Sequence, residues 1–365
     1  MSFLKKLFNK NKINRSKPKT IAEFWHWFED NAETLKDAVL RQDDLQKEFI
    51  EPVFKNLEKI SEGVFLLIGK EEDGTIDIIF TADGIIKNFP IVNSFVEQAP
   101  NIPDWKFTAF KPKVDLGDKG IHVKNLSITN TSLQFYPSIE EKYPDEINIH
   151  LVYTGEVSPE DLNLAENASF IYVENLIGEI NLATRIDQLK FDPNPASDLE
   201  LVSIEKLEAY LSMREKEFVE LYEGVVYQTQ EDTYSSLEWE SEGKKVLGTC
   251  NSELIKWDKK ATHPWMVVIM VDFGPYQKSG LPTSDLLDEI QAFEDNLEEK
   301  LPDSDGYLQV GKTSGKGERT IYYACKEFYL PIQILEELRD QYPFNYDYEV
   351  FKDKYWKCME MFQVR

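Results

Sequence analysis

Gly306 to Thr313, read as GYLQVGKT, has the G-x-x-x-x-G-K-[ST] order of loops that cradle nucleotide phosphates. That chemistry needs a strand that ends, a glycine-rich turn that aims backbone N–H groups at phosphate oxygens, and a helix N-terminus that completes the positive field. Here the four central residues are Tyr307, Leu308, Gln309 and Val310, which suit the inside of a strand. After Thr313 come Ser314-Gly315-Lys316-Gly317-Glu318 and then Ile321-Tyr322-Tyr323, a second strand. The motif is therefore expected to lie across a hairpin and to hold no nucleotide.

Other residue types that could do chemistry lack the spacing for it. The histidines His26, His122, His150 and His263 show neither HxH nor HExxH order, so a zinc site would have to be assembled from distant strands. Asp303-Ser304-Asp305-Gly306 resembles part of a calcium loop, but its first position would be Leu301 and its twelfth Lys312, which excludes an EF-hand. There is no G-x-S-x-G elbow, and Cys325, between Ala324 and Lys326 inside a strand, reads as core. Cys250, Cys325 and Cys358 are too scattered for a disulfide framework or a CxxC site, which fits a reducing compartment. Paired carboxylates carry no information where 66 acids are present. No catalytic, cofactor-binding or metal-binding residue is assigned on these grounds. The enzyme class would gain if a deep pocket gathered His150 or His263 with several acids.

The elements that would position any site read as α+β. Thr20-Ile21-Ala22-Glu23 is a capping box and predicts a helix, broken before Pro52. Phe49, Ile50, Val53, Phe54, Leu57 and Ile60 then recur on one helical face. Phe24-Trp25-His26-Trp27-Phe28 is read as apolar all round and wedged into the domain, with an aromatic ligand cage as the sharper alternative. Val64–Lys70 and Thr75–Thr81 predict a hairpin, and Pro90 opens a helix that Ala99-Pro100 closes. Strands are expected at Lys106–Phe110, His122–Leu126, Ser132–Tyr136 and Ile147–Tyr153, a helix at Glu166–Ile177, and a last strand at Glu179–Leu189.

Asp192-Pro193-Asn194-Pro195-Ala196-Ser197-Asp198 is the strongest linker signal, followed by a charged amphipathic helix at Ile204–Tyr222. Beyond it, strand-like segments at Gly224–Tyr227 and Ser235–Trp239 precede an apolar strand, Trp265–Val271. Ser284 caps a helix with Leu287, Ile290, Phe293 and Leu297 inward. Tyr307–Lys312 and Thr320–Cys325 form a hairpin, Pro331 starts a helix with Ile334, Leu335 and Leu338, and Tyr346–Phe351 closes the unit. This is a βαββαβ order, the ferredoxin-like split unit, with an antiparallel sheet and its helices on one face. The expected division is a basic tail 1–19, an α+β domain 20–191, a linker and bridging helix 192–222, and a ferredoxin-like domain 223–365.

Composition bounds the partner. With 365 residues, 42% of them hydrophobic, the chain can bury more than one core. Seven basic residues and no acid fall in residues 1 to 20, which leaves 34 basic and 66 acidic residues, a net of −32, in the rest. Such a body repels a phosphate backbone and suits a basic protein partner. No nucleic acid is expected. No stretch approaches the roughly 20 apolar residues of a membrane span. The start, MSFLKKLF, is too short an apolar run for a signal peptide, and a cytoplasmic location is expected. Phe3, Leu4, Leu7 and Phe8 with Lys5 and Lys6 could form a small membrane-surface helix, against which a frayed or locally docked tail is preferred.

The second half resembles a family. Trp265 with its apolar strand, Gly280-Leu281-Pro282, the helix ending in Ile290–Leu297, Val310-Gly311-Lys312-Thr313, Glu318 to Tyr323, and Asp353 with Trp356 are similar, in order, to the bacterial domain of unknown function 695. The resemblance covers about residues 222 to 365. That domain is similar in layout to the regulator of ribonuclease E, a small acidic ferredoxin-like inhibitor, and so implies a binding role by analogy. No catalytic residue comes with it. The first half, with Phe24–Phe28, Ala82-Asp83-Gly84, Ala99-Pro100 and Trp105 to Pro112, resembles a segment of other bacterial proteins and adds no activity. Residues and resemblance together predict a non-enzymatic, protein-binding or regulatory module. Its alternatives are an immunity protein that neutralises a basic toxin and an enzyme with an unrecognised site.

Overall fold

Thr20 opens the first helix through the reciprocal bonds its sequence predicts. Its N–H donates to Glu23 Oε2 at 3.1 Å, and Glu23 N–H donates to Thr20 Oγ1 at 3.2 Å. The computed structural model describes residues 20–41, 44–114, 116–117, 119–272 and 280–362. The expected basic tail and its membrane-surface alternative lie outside the described residues.

By its contacts the chain forms two compact units. The first takes the described residues through Asp83 together with Ile91–Phe110. It holds α1 (Ile21–Arg41), α2 (Glu51–Leu57), strands β1 (Phe65–Lys70) and β2 (Ile76–Thr81), most of α3 (Phe89–Glu97), and β3 (Trp105–Ala109). The predicted hairpin pairs β1 with β2, and β3 joins β2 in parallel after α3. Phe24, Trp25 and Phe28 are buried against Phe80, Phe95, Trp105 and Phe107, whereas His26 is exposed and Trp27 half-buried. The aromatic run is thus one-sided and fills a core. Its indole is satisfied too, with Trp25 Nε1 donating to the Phe95 carbonyl at 2.8 Å.

The second unit, Gly84–Pro90 with Lys111–Arg365, contains two sheet systems. In the first, the ribbon β4 (Ile121–Val123) and β5 (Leu126–Ile128) precedes the long hairpin β6 (Leu133–Glu140) and β7 (Tyr143–Tyr153). Helices α4 (Leu162–Ile177) and α5 (Glu179–Arg185), strands β8 (Gln188–Phe191) and β9 (Val202–Ser203), and helix α6 (Leu207–Tyr222) follow, and the sheet order is β8-β7-β6-β9. The segment expected as one strand from Glu179 to Leu189 is instead a helix and a short strand. Gly178, at φ 82°, turns the chain after α4, and the buried Glu179 carboxylate accepts the N–H groups of Gly84 and Lys111 at 3.0 Å each. Those bonds anchor a helix start, while Ile180, Leu182 and Ile186 only imitate a two-residue period. The proline-containing segment 192–201 joins β8 and β9, two strands of one sheet, and Leu207 and Leu211 of α6 are buried in the same core.

The second system runs β10 (Tyr234–Ser241), β11 (Lys244–Asn251), α7 (Ser252–Lys256), β12 (Trp265–Asp272), α8 (Ser284–Lys300), β13 (Tyr307–Gly315), β14 (Glu318–Cys325), α9 (Tyr329–Leu338) and β15 (Asn345–Lys352). Its six strands lie in the order β10-β11-β13-β14-β12-β15, with every neighbouring pair antiparallel. The expected strand at Gly224–Tyr227 is absent. Gly224, at φ 75°, follows the end of α6, and the hairpin β10–β11 supplies the first strands instead. Phe293 of α8 meets the Tyr346 ring of β15 at 5.0 Å, and Tyr346 donates its hydroxyl to the Leu335 carbonyl of α9, so both helices cover one face. The opposite face carries Met266, Leu308, Val310 and Ala324 and is sealed by Trp356, Met359 and Phe362. Thr283, rather than Ser284, caps α8 by accepting from Leu286 N–H. Leu287, expected inward, is 42% exposed, while Ile290, Phe293 and Leu297 are buried.

Candidate functional site

Lys312, the lysine of the phosphate-loop pattern, sits in β13 and reaches a side chain rather than a ligand. Its Nζ lies 2.6 Å from Glu294 Oε2 on α8. Arg319, from β14, places Nε 2.5 Å from Glu294 Oε1 and a terminal nitrogen 3.0 Å from Oε2. Two strands thus pin one buried carboxylate of the covering helix. The glycines of the pattern also have other duties. Gly306 adopts φ 97° at the turn before β13. At Gly311, where the β13–β14 register shifts, a Cβ would come 2.9 Å from the Thr249 carbonyl.

The remaining chemical candidates are dispersed. His26 and His122 are exposed, on α1 and β4. His150, on β7, contacts Ser138 Oγ at 2.9 Å and stacks on Tyr136, with burial and then Lys190 holding its pKa below the ordinary value. His263 is fully buried before β12, with Nδ1 2.8 Å from Thr262 Oγ1. Burial, helped by Lys326, pushes its pKa down to about 3, so it is neutral. Asp303 accepts from Thr229 N–H at 2.7 Å and from its hydroxyl at 2.9 Å, so this end of the calcium-like stretch serves the fold. Burial raises the thiol pKa at Cys250, Cys325 and Cys358, which leaves protonated thiols at neutral pH. Among the described residues, no group of three or more His, Cys, Asp or Glu side chains could hold a metal ion.

A cleft of about 990 Å³ in the second unit gathers the buried charge that sequence reasoning missed. Lys352 ends β15 and Lys354 follows it, and both turn onto Asp187, in the bend between α5 and β8. Lys352 Nζ lies 2.9 Å from Asp187 Oδ1 and donates to the Thr184 carbonyl at 2.7 Å. Lys354 Nζ lies 2.8 Å from Asp187 Oδ2 and donates to the Asp145 carbonyl at 2.6 Å. Burial alone would raise the Asp187 carboxyl, but the two ammonium groups outweigh it and hold it below the usual range. Burial pushes Lys352 down to about 8 against the pull of Asp187. Asp145 accepts the hydroxyls of Tyr355 at 2.6 Å and Tyr222 at 3.0 Å. Above this floor the walls include Ile139, Phe218, Val219, Leu221, Trp265 and Phe328. Acids line the cleft, but neither His150 nor His263 does, so the combination that would favour an enzyme is not assembled there. The alternation Lys352-Asp353-Lys354 at the end of the last strand was the one sequence signal of the floor. Its partner Asp187 lay in a segment whose period suggested a strand.

The second candidate is a surface. Helix α8 turns Asp285, Asp288, Glu289, Asp295, Glu298 and Glu299 outward with Lys300 as its basic residue, while Ile290, Phe293 and Leu297 face the sheet. No Lys or Arg of the described residues pairs with any of the six. Gln291 bonds Asp295 at 2.7 Å, a contact within the helix. Carboxylates this close along one helix repel one another, since like charges at four-residue spacing cost about 0.2–0.5 kcal/mol per pair.

These features sit on an α+β chain of several sheets. Residues 238–362, from the middle of β10 to the closing turn around Phe362, match the model of a family of unknown function, DUF695. The match spans about a third of the chain and contains α8, Lys312, Glu294 and Lys352. No curated protein and no solved structure matches the chain. No helix among the described residues is long and apolar enough to cross a membrane.

Proposed function

We propose that this chain is a non-enzymatic binding or regulatory protein whose C-terminal module, residues 223–365, engages a basic protein surface through the outward acids of α8. The observation that carries this reading is the run of six exposed carboxylates, unpaired with any cation of the described residues, on one helix of a well-buried sheet domain. A helix held through Phe293, Leu297 and the Glu294 ion contacts presents those charges in a fixed array, which favours a partner of complementary charge. The order of β12, α8, β13, β14, α9 and β15, with sheet order β13-β14-β12-β15, supports a ferredoxin-like core to which the β10–β11 hairpin is added. Duplex nucleic acid is disfavoured by the body's net charge of −32.

The test compares the full chain with a variant carrying Asp285→Asn, Asp288→Asn, Glu289→Gln, Glu298→Gln and Glu299→Gln. Both are used to capture partners at low and high salt. The parent should retain a basic protein that about 0.5 M salt releases, and the variant should lose it while melting at a similar temperature. Equal capture by both would exclude α8 as the docking surface.

A further inference from the structure

The cleft between the β6–β7 hairpin, α6 and the end of β15 takes no part in the acidic-helix reading, and its charges cancel. On the rim Arg185 lies 2.5 Å from Glu215, Arg214 lies 3.2 Å from Glu217, and Glu220 meets Lys216 at 3.7 Å. On the floor two ammonium groups stand beside two carboxylates. Lys352 and Lys354 both reach Asp187, and Lys354 also donates to the backbone carbonyl of Asp145, whose side chain supplies the second negative charge. An anion entering here meets Asp145, and a cation meets Lys352 and Lys354. Either brings an uncompensated charge into a cavity walled by Phe218, Val219, Leu221, Trp265 and Phe328. The occupant that this arrangement admits is uncharged.

One polar contact on the floor stays open. Asp145 lines the cleft, and the phenols of Tyr222 and Tyr355 both donate to its Oδ2. Among the described residues its Oδ1 takes part in no hydrogen bond or ion pair. A carboxylate oxygen only accepts, so this position calls for a donor. The walls call for apolar surface, since Val219 is 56% exposed and Leu221 69%. The volume, about 990 Å³, falls at the upper end of the roughly 300–1,000 Å³ of small-molecule sites. We propose that this cleft binds an uncharged amphiphile, an aliphatic alcohol whose hydroxyl donates to Asp145 Oδ1 and whose chain lies along Phe218, Val219 and Leu221. A hydrogen bond from a neutral donor to a carboxylate is charge-assisted, and it leaves the cancelled charges of the cleft as they are. An ether of the same length covers the walls without making that bond.

Titration calorimetry on the full chain, with eight-carbon probes below their solubility limits, tests this. 1-Octanol should bind once per chain and about tenfold more tightly than octyl methyl ether, the ratio expected for a hydrogen bond to a charged group. Octanoate and octylammonium should each bind at least about tenfold more weakly than octanol, because each adds an uncompensated charge. Asp145→Asn keeps the shape of the side chain, removes its charge, and should bring octanol and the ether to within about threefold of each other. Val219→Ser, at an exposed position on α6, leaves Asp145 untouched and should weaken both uncharged probes several-fold while keeping their order. If Asp145→Asn does not fold, the head-group order in the parent and the Val219→Ser result decide. No octanol binding, an ion bound as tightly as octanol, an alcohol preference that survives Asp145→Asn, or unchanged affinities in Val219→Ser would overturn the proposal.

Discussion

His263 shows how a residue type that suggests chemistry can be taken up by packing. Its ring is buried beside Trp257, and its carbonyl accepts Trp356 Nε1 at 3.0 Å. With a folded pKa of about 3 against an ordinary 6.5, the unfolded chain binds the extra proton between those values. The resulting stability is complete above pH 6.5 and is lost as pH falls toward 3. Its share between pH 7 and pH 5 is about 2 kcal/mol. His263→Leu should accordingly lose less stability than the parent between pH 7 and pH 5, by about that amount in urea unfolding. Identical pH dependence in both proteins would contradict the buried neutral ring. The same kind of absorption explains GYLQVGKT, whose spacing matches a phosphate loop while Gly306, Gly311 and Lys312 serve a turn, a bulge and Glu294. The apolar strand residues between the glycines made that legible in the sequence. The contacts of Lys312 were not legible, because Glu294 was one of 66 acids with no local mark of burial.

Elements were read best where one period dominates. Strand β12 and the hairpin β13–β14 lie where the apolar runs and the glycines put them, because both faces of this sheet are covered, and helix α9 begins two residues before the Pro331 that marked it. Helix α5 was misread, since its apolar residues sit at even spacing and what makes it helical is distant. The backbone of Gly84 and Lys111 binds Glu179, and Gly178 provides the turn. This assigns a specific cost to Gly178. A Cβ there would meet Lys113 N at 3.2 Å in a left-handed backbone, whereas at Gly224, with φ 75°, nothing lies within 4 Å. Gly178→Ala should destabilise the chain by about 2 kcal/mol and Gly224→Ala by about 1 kcal/mol. If denaturant unfolding ranks them the other way, the anchoring of α5 is wrongly described. Strand β10 was recognisable from Ser235 onward, but its partner β11 was not, because Lys244-Lys245 and Gly248 interrupt the apolar pattern.

At the scale of the molecule, charge was the most readable property and shape the least. The net of −32 outside the first 20 residues follows from counting. Where that charge is unpaired does not, because many acids are spent on internal ion pairs such as Arg185–Glu215 and Lys357–Glu146. Helix α8 stands apart because its six outward acids pair with no cation among the described residues, and the floor of the cleft stands apart because Lys352 and Lys354 converge on one carboxylate, Asp187. That floor exists only once folding brings Asp187 to Lys352, across 165 residues of sequence. If α8 is the surface a basic partner touches, site-specific photocrosslinking in the native cell reveals it directly and needs no purified partner. The reactive residue is placed at Gln291 on the outward side of α8 or at Ser236 on the exposed edge strand β10. A crosslinked adduct with a basic protein is predicted from position 291 and none from 236. Adducts from 236 alone, or an adduct with RNA from 291, would contradict the role given to α8.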